Sequence, residues 1–120
     1  MVQPLRTARS IRASTAQLAI TEAETAILEA LWRHGPLTPV RLIGEVKSAR
    51  PWGDATIKTL LGRLMHKKAV RSERDDGRLQ YRALIDRQTY VDGEVRDLVE
   101  RLFGGDPSRL AAHLSARDET

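Results

Sequence analysis

An amphipathic helical pattern followed at once by a tight-turn signal, between residues 53 and 84, constrains the fold more than any other part of the chain. Apolar residues recur there at the spacing i, i+3, i+4, i+7 and i+8, at Ile57, Leu60, Leu61, Leu64 and Met65. One face of this helix is therefore predicted to lie in a core. Residues 69–74 and 78–84 alternate as two strands around an Asp-Gly pair, which favours a tight hairpin.

Two shorter helices are predicted before this helix. The first begins after Thr21, because Thr21 and Glu24 have the spacing of a capping box, and it ends at Gly35-Pro36. Its buried stripe is predicted to contain Ala23, Ile27, Leu28, Leu31 and Trp32.

The second helix begins at Thr38-Pro39 and runs to about Ala49, with Val40, Ile43 and Val46 predicted to face inward. Pro51 separates it from the third helix, and Trp52 is interpreted as a cover for the core. Helices followed by a hairpin are typical of a winged helix-turn-helix, so the predicted fold class is mostly α with a small β-hairpin.

The polar face of the third helix carries side chains that bind phosphates and base edges. We therefore predict that it lies in the major groove of double-stranded DNA. Arg74 and Arg78 flank the hairpin turn, where they either reach the DNA or belong to a solvated hairpin. The predicted DNA contacts are Thr38, Asp54, Thr56, Lys58, Thr59, Arg63, His66, Lys67, Arg74 and Arg78.

An acidic amphipathic helix is predicted from Asp86 to Gly104, and a last helix from Pro107 to Ala116. A winged helix does not need either helix for its own core, so both are predicted to pair with a second copy. The predicted dimer contacts are Tyr90, Val91, Val95, Leu98, Val99, Leu102, Phe103, Leu110 and Leu114. The expected organisation is a flexible basic arm (1–20), a winged helix (21–85) and a helical dimerisation region (86–120).

The composition of the chain limits the functions that it can have. With 20 Lys+Arg against 16 Asp+Glu and a pI near 10.0, the chain permits a nucleic-acid partner. The absence of cysteine excludes disulfides and thiolate metal sites, and three scattered histidines predict no metal ligand set. We expect no cofactor, no membrane insertion, a cytoplasmic location and no enzymatic activity, because the sequence lacks a membrane-length apolar run and any catalytic motif.

Several stretches together resemble the penicillinase-repressor family of BlaI, MecI and CopY transcriptional regulators. The resemblance covers about residues 20 to 116. It rests on Thr21-Glu22-Ala23-Glu24, Leu31-Trp32, Gly35-Pro36-Leu37-Thr38, Trp52, residues 56–64, Lys67-Lys68, Asp76-Gly77-Arg78, Tyr81-Arg82 and residues 99–105. The copper-responsive branch is less similar, because its cysteine cluster has no counterpart here.

The resemblance implies a homodimeric repressor of palindromic operators whose recognition helix contacts DNA through Thr56, Lys58, Thr59 and Arg63. It also implies release through a membrane sensor metalloprotease of the BlaR/MecR type, often after a β-lactam signal. The Asn-Phe bond cut in well-known members corresponds to Leu102-Phe103, where leucine replaces the asparagine.

Two other functions stay open on sequence grounds. One is a winged-helix protein-interaction module that uses the acidic helix as its partner surface, which weak salt dependence of binding would support. The other is a repressor that binds a small effector directly in its dimer interface. A neighbouring gene for a membrane metalloprotease would favour proteolytic release over the effector. The arm at residues 1–20 is either disordered or a DNA contact.

Overall fold

The computed structural model describes residues 19–118, which form five helices and one antiparallel hairpin. The elements are α1 (Glu22–His34), α2 (Pro39–Ala49), α3 (Asp54–His66), β1 (Val70–Asp75), β2 (Arg78–Ala83), α4 (Arg87–Phe103) and α5 (Pro107–Asp118). The predicted fold class is confirmed. The chain divides into two compact units, with the boundary between Asp86 and Arg87. Most of the predicted basic arm lies outside the described residues.

The start of α1 follows the predicted capping box. The Thr21 hydroxyl accepts a hydrogen bond from the Glu24 amide at 3.1 Å, and Glu24 Oε1 accepts one from the Thr21 amide at 2.9 Å. These bonds satisfy backbone donors that a helix start leaves without partners. The helix ends at Gly35, whose φ of 82° allows the chain to leave the helix.

The core of the first unit joins α1, α2, α3 and the hairpin. The predicted stripe of α3 is confirmed, because Ile57, Leu60, Leu61 and Leu64 are all buried. The inward face predicted for α2 is partly wrong. Val40 is 80% exposed, whereas Leu42 is fully buried together with Val46. Leu42 and Val46 share a face at i, i+4, and Val40 lies about 200° around the helix from Leu42.

The hairpin has the predicted two-residue turn. Asp76 and Gly77 have φ values of 56° and 80°, and Asp75 pairs with Arg78 on either side of them. Two positive φ values in sequence define a type I′ turn, which matches the twist of the flanking strands.

A backbone bridge that the sequence analysis did not predict attaches this hairpin to the helices. The Leu37 amide donates to the Tyr81 carbonyl at 3.1 Å, and the Tyr81 amide donates to the Leu37 carbonyl at 2.8 Å. The loop between α1 and α2 thereby pairs with β2. The hairpin, which we call the wing, is thus held against the helix-turn-helix.

The end of α3 leads directly into the wing. The Lys68 amide donates to the Met65 carbonyl at 3.1 Å, and the Ala69 amide donates to the Leu64 carbonyl at 2.9 Å. This is the bond pattern of a Schellman motif, which needs a left-handed residue next to the helix. Lys68 occupies that position, with a φ of 67°, where glycine is the usual residue.

The second unit consists of α4 and α5. The two glycines between them, Gly104 and Gly105, have φ values of 61° and 81°, so the chain turns at the predicted place. The ring centroids of Phe103 and His113 are 5.9 Å apart across this turn. Val99 is only 5% exposed within the single chain.

Candidate nucleic-acid interface

The solvent-facing side of α3 carries most of the predicted DNA contacts. Because four apolar residues bury the opposite side, Thr56, Lys58, Thr59, Arg63 and His66 are all exposed. Arg63 and His66 form no ion pair within residues 19–118. The exposed face therefore presents hydroxyls, an imidazole and two cationic side chains from one rigid element.

The beginning of α3 is joined to α2 by an ion pair. Lys47 Nζ lies 2.8 Å from Asp54 Oδ1 in the first turn of α3. The hydrogen bond from Lys47 is the main reason that the pKa of Asp54 is lowered, so the carboxylate stays charged. Asp54 was predicted as a DNA contact, and in the structure its carboxylate is paired with Lys47. A carboxylate also repels phosphates, which favours this structural role.

The residues just before α3 are arranged around Trp52. Trp52 is half-buried and packs against the core, and the Arg50 guanidinium lies 5.1 Å from the centroid of its ring. This agrees with the interpretation of Trp52 as a cover for the core. The cation over the ring adds a favourable contact.

The end of α3 is joined to α1 by a second ion pair. Lys67 Nζ lies 2.6 Å from Glu24 Oε1 and donates a hydrogen bond to the Ala19 carbonyl at 2.8 Å. Lys67, predicted as a DNA contact, therefore has its ammonium directed at a carboxylate within the chain. The buried charge of Glu24 needs such a counter-ion.

The ionised state of Glu24 depends on that counter-ion. Burial raises the pKa of Glu24, but the hydrogen bond from Lys67, the amide of Thr21 and the charge of Lys67 together lower it below its ordinary value. The sequence identified Glu24 only as part of a capping box. Its burial was missed because only the packing of α1 on the neighbouring elements decides it.

The wing carries four arginines and three acidic residues. Glu73 lies 2.8 Å from Arg82 and 3.2 Å from Arg71, and the hydrogen bond from Arg82 is the main reason that its pKa is lowered. These two arginines thus share one carboxylate. Arg74 donates to the Gly77 carbonyl at 3.0 Å beside the turn, next to Arg78. Arg74 and Arg78 are therefore the arginines at the tip of the wing.

A groove of about 390 Å³ separates the tip of the wing from the start of α2. Thr38, Arg41 and Arg78 line it together with Asp75 and Asp76. The Thr38 hydroxyl accepts a hydrogen bond from the Arg41 amide at 3.4 Å as the N-cap of α2. Arg41 was not predicted as a contact, because only the folded chain brings it beside Arg78.

The residues predicted to form a dimer contact differ in exposure. Val99 is already buried within one chain, and Phe103 is half-buried beside His113. Val91, Val95, Leu98 and Leu102 form a stripe along α4 at the spacing i, i+4, i+7 and i+11. Leu102 is 60% exposed in that stripe, and Leu114 of α5 is also exposed.

The part of the chain that the structure describes shows neither a metal site nor a membrane-spanning helix. No three histidine, aspartate or glutamate side chains there are grouped as a metal site. No helix there combines the length and the apolar character that crossing a membrane requires.

A helix-turn-helix, a wing attached through Leu37 and Tyr81, and a polar, partly basic face on α3 define a winged helix-turn-helix protein. The chain belongs to the penicillinase repressor family, whose model matches residues 20–120. The family predicted from the sequence is confirmed.

Individual proteins are similar to this chain over much of its length. An uncharacterized 16.5 kDa protein of Latilactobacillus sakei is 32% identical over 71% of this chain, and the match spans 58% of that protein's length. The penicillinase repressor of Bacillus licheniformis is 23% identical over 83% of this chain and 78% of its own length. A solution structure of the B. licheniformis BlaI monomer in complex with the blaP half-operator has a TM-score of 0.54 and 28% identity, covering 59% of this chain and 87% of that one.

Proposed function

We propose that this chain is a transcriptional repressor that binds a palindromic operator in double-stranded DNA as a homodimer. The observation that carries the proposal is the exposed polar and basic face of α3. Ion pairs near the two ends of α3 join this helix to α2 and α1. Membership of the penicillinase repressor family supports it, as does the similarity to BlaI bound to a half-operator.

Within this proposal, α3 lies in the major groove of one half-site. Thr56, Thr59 and His66 reach base edges, whereas Lys58 and Arg63 reach phosphates on either side of the helix. The tip of the wing and the groove beside Arg41 add contacts to the DNA backbone. Asp54 and Lys67 are left out of the interface, because their charges engage partners within the chain.

The proposed dimer contact is the stripe of α4, in which Val95 and Leu102 are exposed, together with the exposed Leu114 of α5. An amphipathic helix gains free energy by burying such a stripe, and a second copy supplies a matching one. Two DNA-binding units joined in one dimer bind two half-sites in a single event. Loss of the dimer therefore weakens operator binding even when every contact of α3 is intact.

We further propose that release works through the α4–α5 region. The candidate cleavage site, Leu102-Phe103, lies in the last turn of α4 directly before the two glycines. A membrane sensor metalloprotease of the BlaR/MecR type, responding to a signal such as a β-lactam, is the proposed partner. Cutting this bond would separate α5 from α4 and divide the proposed dimer surface.

The test begins with a duplex that the purified chain selects from a random-sequence library. Affinity for that duplex and for an unrelated one is then measured against salt concentration. Arg63→Ala should weaken binding and reduce the salt slope by about two ions, one for each protomer, while light scattering still reports a dimer. Arg33→Ala is the matched control, since Arg33 is exposed on α1 outside the proposed interface.

Leu98→Asp tests the dimer in the same assays, and we expect it to weaken both association and operator binding. A Leu98→Asp chain that stays dimeric would refute the proposed dimer surface. A wild-type chain that selects no duplex, and whose weak binding hardly depends on salt, would instead favour a protein-interaction module.

A further inference from the structure

Gly62 occupies a place in α3 that the fold of the chain does not explain. It lies in the exposed interior of the helix, its φ is not positive, and a Cβ built on it would have no atom within 4 Å. Glycine is the least favourable residue in a helix interior apart from proline. Neither tight packing nor an unusual backbone conformation therefore accounts for glycine at this position.

The position of Gly62 on the helix suggests what accounts for it. At about 100° per residue, Ala55, Thr59, Gly62 and His66 follow one another along the side of α3 opposite the buried stripe, and the first three of them are small. Lys58 and Arg63 lie on either side of this line, about 140° apart. The two long cationic side chains thus flank a ridge whose members are small as far as Gly62, with His66 one turn beyond it at the end of α3.

We propose that Gly62 lets α3 sit deep in the major groove, so that the short side chain of Thr59 reaches base edges. This inference rests on the proposed DNA-binding function. The major groove is about 12 Å wide and a helix with its side chains measures about 10–12 Å, so the outermost ridge limits how far the helix enters. Gly62 is therefore a residue that determines operator specificity through the depth of the helix.

The same geometry assigns sequence-specific and sequence-independent DNA binding to different side chains of α3. Lys58 and Arg63 are long and point to the sides, so they reach phosphates whether or not α3 sits deep. Thr59 reaches bases only when the ridge is close to them. A larger residue at position 62 should therefore remove sequence discrimination and leave the salt-dependent affinity for any duplex unchanged.

The chain offers a matched control in Gly44. Gly44 also lies exposed in a helix interior, without a positive φ, and its Cβ would likewise meet no atom within 4 Å. It belongs to α2, however, and not to the outer ridge of α3. Alanine and leucine at positions 44 and 62 therefore have the same effect on helix stability and differ only in what they present to DNA.

The experiment compares Gly62→Ala, Gly62→Leu, Gly44→Ala and Gly44→Leu with the wild type. Both alanine variants should raise Tm by about 4 °C, because alanine replaces glycine without a clash. Gly62→Leu should bind the duplex selected by the wild type at least about tenfold more weakly. Its affinity for an unrelated duplex at the same salt concentration should not change, and both Gly44 variants should keep wild-type binding to both duplexes.

The outcomes separate this inference from the function on which it rests. If the wild type selects a duplex and Gly62→Leu binds it equally well, the inference is wrong and the repressor function stands. If Gly62→Leu and Gly44→Leu weaken binding equally, the depth of α3 is not the cause and the inference is again wrong. If the wild type selects no duplex, the proposed function fails, and the inference fails with it.

Discussion

Replacing Lys67 by methionine tests whether the ion pair between Lys67 and Glu24 holds the end of α3 in place. Lys67 is 22% exposed, its Nζ lies 2.6 Å from Glu24 Oε1, and the Glu24 side chain is buried. Methionine keeps an unbranched apolar stem and removes the ammonium. Glu24 would then retain the amide of Thr21 as its hydrogen-bond donor, while Oε2 already has no partner within the described residues.

The expected loss in the free energy of unfolding follows from the burial of Glu24. Removing one partner of a buried ion pair costs about 3–5 kcal/mol, because the other charge stays behind uncompensated. Since Lys67 reaches solvent, we expect the lower end, a loss of about 3 kcal/mol in the free energy of unfolding at pH 7. A loss of that size should lower Tm by more than about 10 °C.

The dependence of stability on pH should also change in Lys67→Met. In the wild type the pKa of Glu24 is lowered from its ordinary 4.5, because the bonds and charge of Lys67 and Thr21 outweigh burial. The resulting stability is present above pH 4.5 and is lost as pH falls through the lower folded-state pKa. In Lys67→Met only the bonds with Thr21 still oppose burial, so the pKa of Glu24 should be higher than in the wild type. The variant should therefore regain stability relative to wild type as acid protonates the buried carboxyl.

The assay is urea unfolding followed by tryptophan fluorescence at neutral and acidic pH. Lys68→Met is the matched control, because Lys68 is the adjacent lysine and is exposed. Adding Glu24→Gln to Lys67→Met should recover part of the loss, since no charge is then buried. A cost below about 1 kcal/mol that is equal at both pH values, with no recovery in the double variant, would refute the reasoning.

Two local predictions concern the ends of the helices. Lys68→Gly should stabilise the chain by about 1 kcal/mol, because Lys68 has a φ of 67° in the Schellman motif, and a fall in Tm by calorimetry would contradict this. Thr21→Ala should lower the free energy of unfolding by about 1 kcal/mol through loss of the hydroxyl that caps Glu24, whereas Thr21→Ser should keep it. Equal urea midpoints for the two Thr21 variants would show that the cap contributes nothing.

The sequence determined the elements whose causes are local. The capping box at Thr21, the type I′ turn at Asp76-Gly77 and the buried stripe of α3 each depend on residues a few positions apart, so spacing alone predicts them. Local spacing did not determine which side of α2 faces the core. In α2, apolar residues spaced three apart and four apart form two different candidate faces. Only packing against the other helices buries Leu42 and leaves Val40 exposed.

The candidate DNA-binding site likewise has features that the sequence determined and features that only the tertiary structure decided. Amphipathicity determined that Thr59 and Arg63 face outward, because the opposite face of α3 had to be buried. Tertiary structure decided which charges are engaged inside the chain. Lys67 pairs with Glu24, 43 residues away, and the wing approaches Arg41 through a bridge between Leu37 and Tyr81. Charge pairing over such separations depends on how the elements pack, and no local pattern in the sequence encodes it.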